Sequence, residues 1–519
     1  MPDTYDVVVA GAGHNSLIAA CYLAKAGYRI CVLEARPIVG GDTATEELTL
    51  PGFLHDSCST AHVLIQSSPT IRDDELGLLR DHGLEYIYTD VAAHVPFLDG
   101  SYLTQYRDRE RTWDEFAKFS HRDADAFARM MDDYHDARQA FGGARYTPIG
   151  LGPSLDERLA ERPDGAVWQR RNALSAWDVI RHELEDPHTR AFMLWMAGQT
   201  VQPVERPGTG LLAYSIAYGR EQNGWTIPRG GSGSLPTACV RLLEAHGADI
   251  VVDAPVGGLV LEDGRCVGVE TASGDQYRAT RAVLSTIHVK HLVEMAPADA
   301  WDDDFHFAVE TWKPGVALFV THYATTEPPR FSGGVTCVAM GTGLGPDRLL
   351  RVGSDIERGV VATDDPPLLV VCPTVEDPSR APDGHHTLKV IGYQPYDVAD
   401  GGAARWDELK DAVSDANLDM LRRYAPNLTD DTILARLVKS PLDLERFNRH
   451  NWHGTCHGGD QSPAQSGRFR FAHRTPVPGL YQTGGTTHPG GSVSGAPGRN
   501  AAMVLLHDLG HDWSDVVAR

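Results

Sequence analysis

A short apolar run opens the chain: Tyr5, then Val7-Val8-Val9-Ala10 beyond a single acid at Asp6. Its length and β-branched content predict a strand buried on both faces. Gly11-Ala12-Gly13-His14-Asn15-Ser16 interrupts the pattern; residues 17–26 then form an apolar helical run that stops at Gly27. A second strand, 29–33, ends on Glu34. This strand–turn–helix logic returns twice. Gly230-Gly231-Ser232-Gly233 leads into a helix through Ala245 and a strand over 248–252. Near the end, Leu480-Tyr481-Gln482 runs into glycine-rich sequence and then an apolar helix over 501–509. Between these, 256–261, 266–271 and 276–279 predict a β-meander turning at Asp263-Gly264 and Ser273-Gly274-Asp275. Residues 282–285 read as a further buried strand.

The remaining pattern is mixed. Phe127, Met130, Tyr134, Ala137 and Phe141 share one face of a helix over 123–141, as core packing requires. Pro187 suits the first position of a helix reaching Gln199. Strands are expected over 316–323 and 368–372, a helix over 406–424, and loops over 150–172 and 324–348. Gly341-Thr342-Gly343-Leu344-Gly345 reads as a turn. Its spacing does not suit a nucleotide, no helical pattern follows, and Pro346 intervenes.

The first unit has a chemical reading. Gly11 permits a tight strand-to-helix turn, and Gly13 lets backbone approach a pyrophosphate at a helix N-terminus rich in free N–H groups. Glu34 is placed to hold ribose hydroxyls and disfavours a 2′-phosphate, which argues against NADP. Ser16 stands where a third glycine is usual and is small enough for close packing. The chain therefore carries one dinucleotide site and no second one for NAD(P)H.

Composition narrows the class. In 519 residues there are 70 acidic and 47 basic side chains, a net charge of −23. That excludes the basic footprint of nucleic-acid binding and electrostatic docking on anionic lipid, while leaving apolar peripheral contact with a membrane open. Lysine is scarce, seven against forty arginines. Cysteines at 21, 31, 58, 239, 266, 337, 372 and 456 form no C-x-x-C pair, so neither a redox disulfide nor a zinc site is expected. Scattered thiols suit a reducing, cytoplasmic setting. The first strand leaves no room for a leader peptide, and no apolar run reaches a membrane span.

After Glu34 come Ala35, Arg36 and then Gly40-Gly41. This E-A-R-x-x-x-G-G run resembles the amine oxidase and phytoene desaturase superfamily of flavoproteins. The block Thr487-His488-Pro489-Gly490-Gly491, Val493, Gly495 and Gly498-Arg499-Asn500 resembles its phytoene desaturase-related members: carotenoid desaturases, desaturase-type ketolases, carotenoid isomerases and retinol saturases. The opening GAGHN, the Ser59-Thr60-Ala61-His62 element and His457 are similar to the ketolase-like and pyridine nucleotide-disulphide oxidoreductase domain branch.

The resemblance implies an α/β fold: a Rossmann-like FAD-binding domain from 1–90, 226–300 and 468–519, and an α+β substrate domain from 91–225 and 301–467. It implies FAD contacts at Gly11, Gly13, His14, Asn15, Ser16, Glu34, Ala35, Arg36, Gly40, Gly41, Val256, Gly484, Gly485, Gly490, Gly491, Ser492 and Val493. Glycines at 490–491 would keep side chains off the isoalloxazine, and the helix opening from Gly498 would face the charge of reduced flavin. His488, His62 and His457 are the catalytic candidates, each set against a structural role, and no metal is expected. The implied reaction is hydride transfer from a substrate C–H bond to flavin N5, on an isoprenoid or carotenoid-like molecule. Oxygen, a quinone or another protein would accept the electrons. A soluble amine, alcohol or secondary metabolite remains an alternative substrate. A redox-neutral isomerase and a flavin-bound interaction protein remain alternative functions. Oligomeric state is left open.

Overall fold

The computed structural model describes residues 3–518. Two sheets organise it. In the first, Asp3–Ala10 lies between Ile30–Leu33 and Gln276–Ser285, parallel to both. Asp249–Val251 extends the sheet past Ile30–Leu33, and Leu480–Gln482 runs parallel to the end of Gln276–Ser285. Val7 to Ala10 are fully buried, as expected of a parallel strand covered on both faces. The helix His14–Lys25 covers one face, with Ala496–Asp508 and Ser234–Ala245 packed against it.

The meander forms as expected from Val256–Glu262, Arg265–Thr271 and Gln276–Ser285. Residues 276–279 and 282–285, expected as two strands, are one. Its first half completes the meander, and its second half enters the parallel sheet. Exposed Thr280 and Arg281 break the apolar pattern at the change of environment without breaking the backbone.

The second sheet runs in the order Ile433–Lys439, Ala317–Thr325, His386–Gln394, Leu369–Val371, Ala339–Gly341, Val91–Pro96, Tyr102–Tyr106. It is antiparallel except where Ala339–Gly341 meets Val91–Pro96. Alternation along Ala317–Thr325 defines its faces. Phe319 and Thr321 face the helix Trp406–Tyr424, with rings of Phe319 and Trp406 5.7 Å apart and Thr321 Oγ1 3.0 Å from Ser414 Oγ. His322 points the other way, toward His55 of the segment after the first sheet's nucleotide turn. The helices His121–Arg145, Pro187–Gly198 and Leu212–Asn223 pack together in the large core that this sheet shares.

Two segments expected as loops carry structure. Across 150–172 run the helices Leu155–Ala160 and Gly165–Ala173. The first is opened by a capping box between Ser154 and Glu157, but is too short to display periodicity. Across 324–348 run the strand Ala339–Gly341 and the short helix Pro346–Leu349, with Pro346 in its first turn. Gly341 serves packing: a Cβ there would lie 2.4 Å from the Trp195 indole, whose Nε1 donates to Leu368 O at 3.1 Å. The C-terminal helix begins at Ala496, earlier than the 501 expected, with Gly495 at its N-cap.

Candidate active site

The nucleotide turn is built by backbone geometry. Gly11 has φ +95°, and a Cβ there would meet Thr286 Cγ2 at 2.5 Å. A Cβ on Gly13 would meet nothing within 4 Å, so the space before the helix is open. His14–Lys25 has no side-chain cap and no acid in its first turn, leaving its N-terminal N–H groups available to an anion. Glu34 accepts from Ala12 N at 2.8 Å and Arg36 N at 3.0 Å, so its carboxylate is held at the turn. Ala35 is exposed, and Arg36 pairs with Glu46 at 3.0 Å. Main-chain bonds from Glu34 N to Val251 O and from Ala254 N to Glu34 O, each 2.8 Å, bring the approach to Val256 alongside.

Ser16 takes an active part. Its buried hydroxyl lies 2.6 Å from Gly11 O and 2.9 Å from Gly13 O, bracing the turn from inside. The close backbone approach falls instead to Gly498, where a Cβ would lie 2.1 Å from Asn15 O. Gly498 is therefore inside the helix Ala496–Asp508, crossing His14–Lys25, and does not belong to the turn that precedes it.

Gly40 and Gly41 close the turn from the other side. Gly40 N donates to Ala12 O at 2.8 Å, and a Cβ on Gly41 would come within 3.3 Å of Gly13 Cα. Asp42 follows and is held by Asn448 Nδ2 at 2.9 Å and Asn451 Nδ2 at 3.0 Å. Asp56 ties the next segment down, accepting from Thr45 Oγ1 and Ser232 N, each at 2.8 Å, and pairing with buried Arg380 at 3.0 Å.

The C-terminal turn packs through glycines. A Cβ would strike Thr286 Oγ1 at 2.6 Å from Gly484, His457 O at 3.0 Å from Gly485, and His457 Cα at 2.5 Å from Gly491. Neighbouring protein backbone and side chains thus leave no room for a Cβ at 484, 485 and 491. Gly490, at φ +118°, lies against Arg470. Ser492 adopts φ +101°, a glycine-like conformation costly for a side chain, and its backbone faces the His14 ring. Val493 is buried in the first sheet's core.

Burial lowers the pKa of all three candidate histidines. His62 is fully buried; burial, reinforced by His14 and Arg380, pulls its pKa to about 3. Ser232 Oγ donates to Ser59 O at 2.7 Å, so it accepts from His62 Nε2 at 2.8 Å, leaving Nδ1 to face Tyr86 OH at 3.3 Å. Both nitrogens are thus engaged. His488 Nε2 donates to Ala144 O at 3.2 Å, and Asn500 Nδ2 to Arg145 O at 2.9 Å, so the turn grips the end of the helix His121–Arg145. Burial lowers the pKa of His488, and its Nδ1 has no partner among the described residues. His457 also has a free Nδ1, and burial pulls its pKa to about 4. His14 is likewise held near 4 by burial.

The three segments carry buried polar atoms with no partner among the described residues: His14 Nε2, Asn15 Oδ1, Arg36 Nη1, Thr60 Oγ1, Thr486 Oγ1 and His488 Nδ1. Orphaned atoms beside an open helix N-terminus and the fixed Glu34 carboxylate fit a bound dinucleotide.

The comparisons agree. Residues 17–506 match the family described as flavin containing amine oxidoreductase, and the chain belongs to that family. It is an FAD-dependent oxidoreductase. The chain is 27% identical to pyridine nucleotide-disulfide oxidoreductase domain-containing protein 2 of Rattus norvegicus, covering 97% of this chain and 94% of that one. It is 26% identical to a component of limonene dehydrogenase from Castellaniella defragrans (97% and 95%) and to a lycopene-forming phytoene desaturase of Pseudescherichia vulneris (97% and 99%). The fold matches putrescine oxidase bound to putrescine at TM-score 0.64 and 17% identity, over 99% of each chain.

Several site residues carry no motif that the sequence pattern could reveal. Lys389 and Lys439, two of the seven lysines, are buried in strands of the second sheet. Lys389 donates to Asp56 O at 3.2 Å and to Cys58 O, fastening the 54–58 segment to the sheet. Lys439 lies 3.8 Å from the Phe447 ring centroid. His322, opposite Lys389 in register, is buried with neither ring nitrogen bonded to a described residue. Scarce lysines inside apolar strands were the available signal.

Proposed function

We propose that this protein removes hydride from a C–H bond of an isoprenoid or carotenoid-like substrate. The supporting observation is the state of the histidines around the glycine turns. Burial pulls His62 and His457 to about 3 and 4, so neither is poised to exchange a proton near neutrality, and it lowers His488 as well. Oxidation of an alcohol or amine gains from a base at the heteroatom, whereas a delocalised hydrocarbon cation loses its proton easily. The hydrocarbons named in two relatives, limonene and phytoene, support the same substrate class.

FAD, when bound, supplies the hydride acceptor. The chain does the rest. Glu34 holds ribose hydroxyls, and Gly13, His14, Asn15 and Ser16 present the helix N-terminus to pyrophosphate. Arg36, Gly40, Gly41 and Val256 border the nucleotide. Gly484, Gly485, Gly490, Gly491, Ser492 and Val493 shape the flavin end, and His488 locks that end to the helix His121–Arg145. Segments 1–90, 226–300 and 468–519 act as the cofactor domain, while 91–225 and 301–467 receive substrate. With one nucleotide unit, electrons pass on to oxygen, a quinone or another protein. Among the described residues no helix is long and apolar enough to cross a membrane; we place the protein in the cytoplasm.

The test is anaerobic mixing of the flavin-loaded protein with carotenoids, smaller isoprenoids, amines and alcohols, followed by flavin absorbance. Bleaching by isoprenoids supports the reading. Bleaching by polar amines or alcohols alone overturns it.

A further inference from the structure

Arg470 is 2% exposed and makes no ion pair among the described residues. Main-chain carbonyls surround its guanidinium instead. Nε donates to Thr487 O at 3.2 Å, Nη1 to Asp460 O and Gln465 O, each at 3.1 Å, and Nη2 to His457 O at 3.1 Å and to Gly485 O. The five N–H donors of the side chain thus meet five acceptors. Three of these carbonyls come from the segment 457–465, and two, 485 and 487, belong to the C-terminal glycine turn. A Cβ on Gly490 would lie 3.3 Å from both Cζ and Nε, so the guanidinium lies against the turn there as well.

Carbonyls carry only partial charge, so they solvate the guanidinium without cancelling its positive charge. Burial draws its pKa down to about 9, with the charge of Asp460 opposing, and it stays protonated at neutrality. The Asp460 carboxylate accepts from Ser462 N at 3.2 Å. The field of Arg470 reaches across the candidate site: burial is the first cause of the lowered pKa of His457 and His488, and the Arg470 charge adds to it in both. The turn is oriented by the same contacts. In a trans peptide the N–H points opposite to the C=O. The Gly485 carbonyl drawn to Arg470 therefore turns the Thr486 N–H away from it. The Thr486 hydroxyl is buried with no partner among the described residues.

We propose that Arg470 is a positioning residue for the flavin: it holds the 484–491 turn in shape and keeps a fixed positive charge behind it, stabilising the negative charge that the flavin gains with a hydride. A hydride brings two electrons and one proton, so a neutral ring that accepts it becomes an anion. A buried cation and the peptides it orients favour that anion over the neutral oxidised ring. This rests on the reading that places the flavin end at the glycine turn, and it holds whatever molecule gives up the hydride.

The test uses the full chain as wild type, Arg470→Lys, Arg470→Gln and Thr486→Val. The midpoint potential of the flavin-loaded protein is read by anaerobic equilibration with a reference dye, and FAD affinity by titrating the stripped protein. Arg470→Gln should favour reduced over oxidised FAD at least about tenfold less than wild type does, a midpoint lower by about 30 mV. Arg470→Lys keeps the charge with three donors in place of five. It should hold the midpoint within about threefold, or ~15 mV, while binding both redox states more weakly. A residue that only shaped the turn would weaken both states alike in Arg470→Gln and leave the midpoint unmoved, and that result overturns the inference. Because Arg470→Gln leaves buried carbonyls unpaired and can fail to fold, wild type gives a second reading. Its midpoint should fall by about 30 mV per pH unit between pH 6 and 7.5, one proton per two electrons, as an anionic reduced ring requires. A slope of about 60 mV per pH unit means that the reduced ring takes up a second proton, and overturns the inference as well. Thr486→Val separates charge from placement. If valine weakens FAD binding but the midpoint of Arg470→Gln does not move, the placement of the flavin end stands and the role of the charge fails. If neither variant changes FAD affinity or midpoint, the placement itself fails, and the inference with it.

Discussion

Lowering the pH should destabilise this protein steeply between neutrality and pH 5.5, through histidines that the fold keeps uncharged. His55, His62, His94 and His473 are at most 2% exposed, and burial holds them at about 3, 3, 4 and 3 against an ordinary 6.5. Between those values the unfolded chain binds a proton that the folded chain refuses, so stability is greatest above 6.5 and falls as pH drops toward the folded values. Each such histidine costs about 1.2 kcal/mol between pH 7 and 5.5, and four cost about 5 kcal/mol, a large share of a typical folding free energy. Equilibrium urea unfolding of the flavin-loaded protein at pH 7.5, 6.5 and 5.5 measures the loss. His62→Gln isolates one contribution, since an amide can replace the bond to Ser232 without titrating. The variant should show a shallower slope, by about one proton. A midpoint that stays level or rises on acidification would mean that these histidines do not stay neutral in the fold.

Three substitutions test the cofactor site. Glu34→Gln places an amide against Ala12 N or Arg36 N and removes the charge that orients both. FAD reconstitution of the stripped protein should weaken by about 2–4 kcal/mol, roughly 30- to 1000-fold, and retention within threefold of wild type would remove Glu34 from the site. Gly498→Ala puts a methyl group 2.1 Å from Asn15 O. It should lower stability by about 3 kcal/mol and weaken flavin retention with it, as thermal melting and the bound-flavin absorbance would show. Ser492→Gly relieves φ +101° and should raise the urea midpoint by about 0.5–1 kcal/mol equivalent without changing bound flavin.

The nucleotide unit was readable because backbone demands show directly as residue types. Gly11 answers a positive φ, Gly13 an open approach, and the apolar run at 7–10 a strand covered on both faces. The small size of Ser16 suits close packing at the turn, but its bracing of two carbonyls is not legible in a hexapeptide. The roles of the histidines were hidden because their partners are distant: His62 meets Ser232 170 positions away, and His488 meets Ala144 344 positions away. The same distance hid Lys389, whose partners at 56 and 58 come from the opposite end of the chain.

In the proposed reaction, hydride leaves a substrate carbon without a side-chain base titrating near neutrality. Single-turnover flavin reduction by an isoprenoid substrate, protiated and deuterated at the reacting carbon, tests it across pH 6 to 9 in wild type and His488→Gln. Deuterium should slow the reaction, the rate should stay level with pH, and the variant should keep that level profile. A rate that climbs through an ionisation in this window and loses that ionisation in His488→Gln would contradict it.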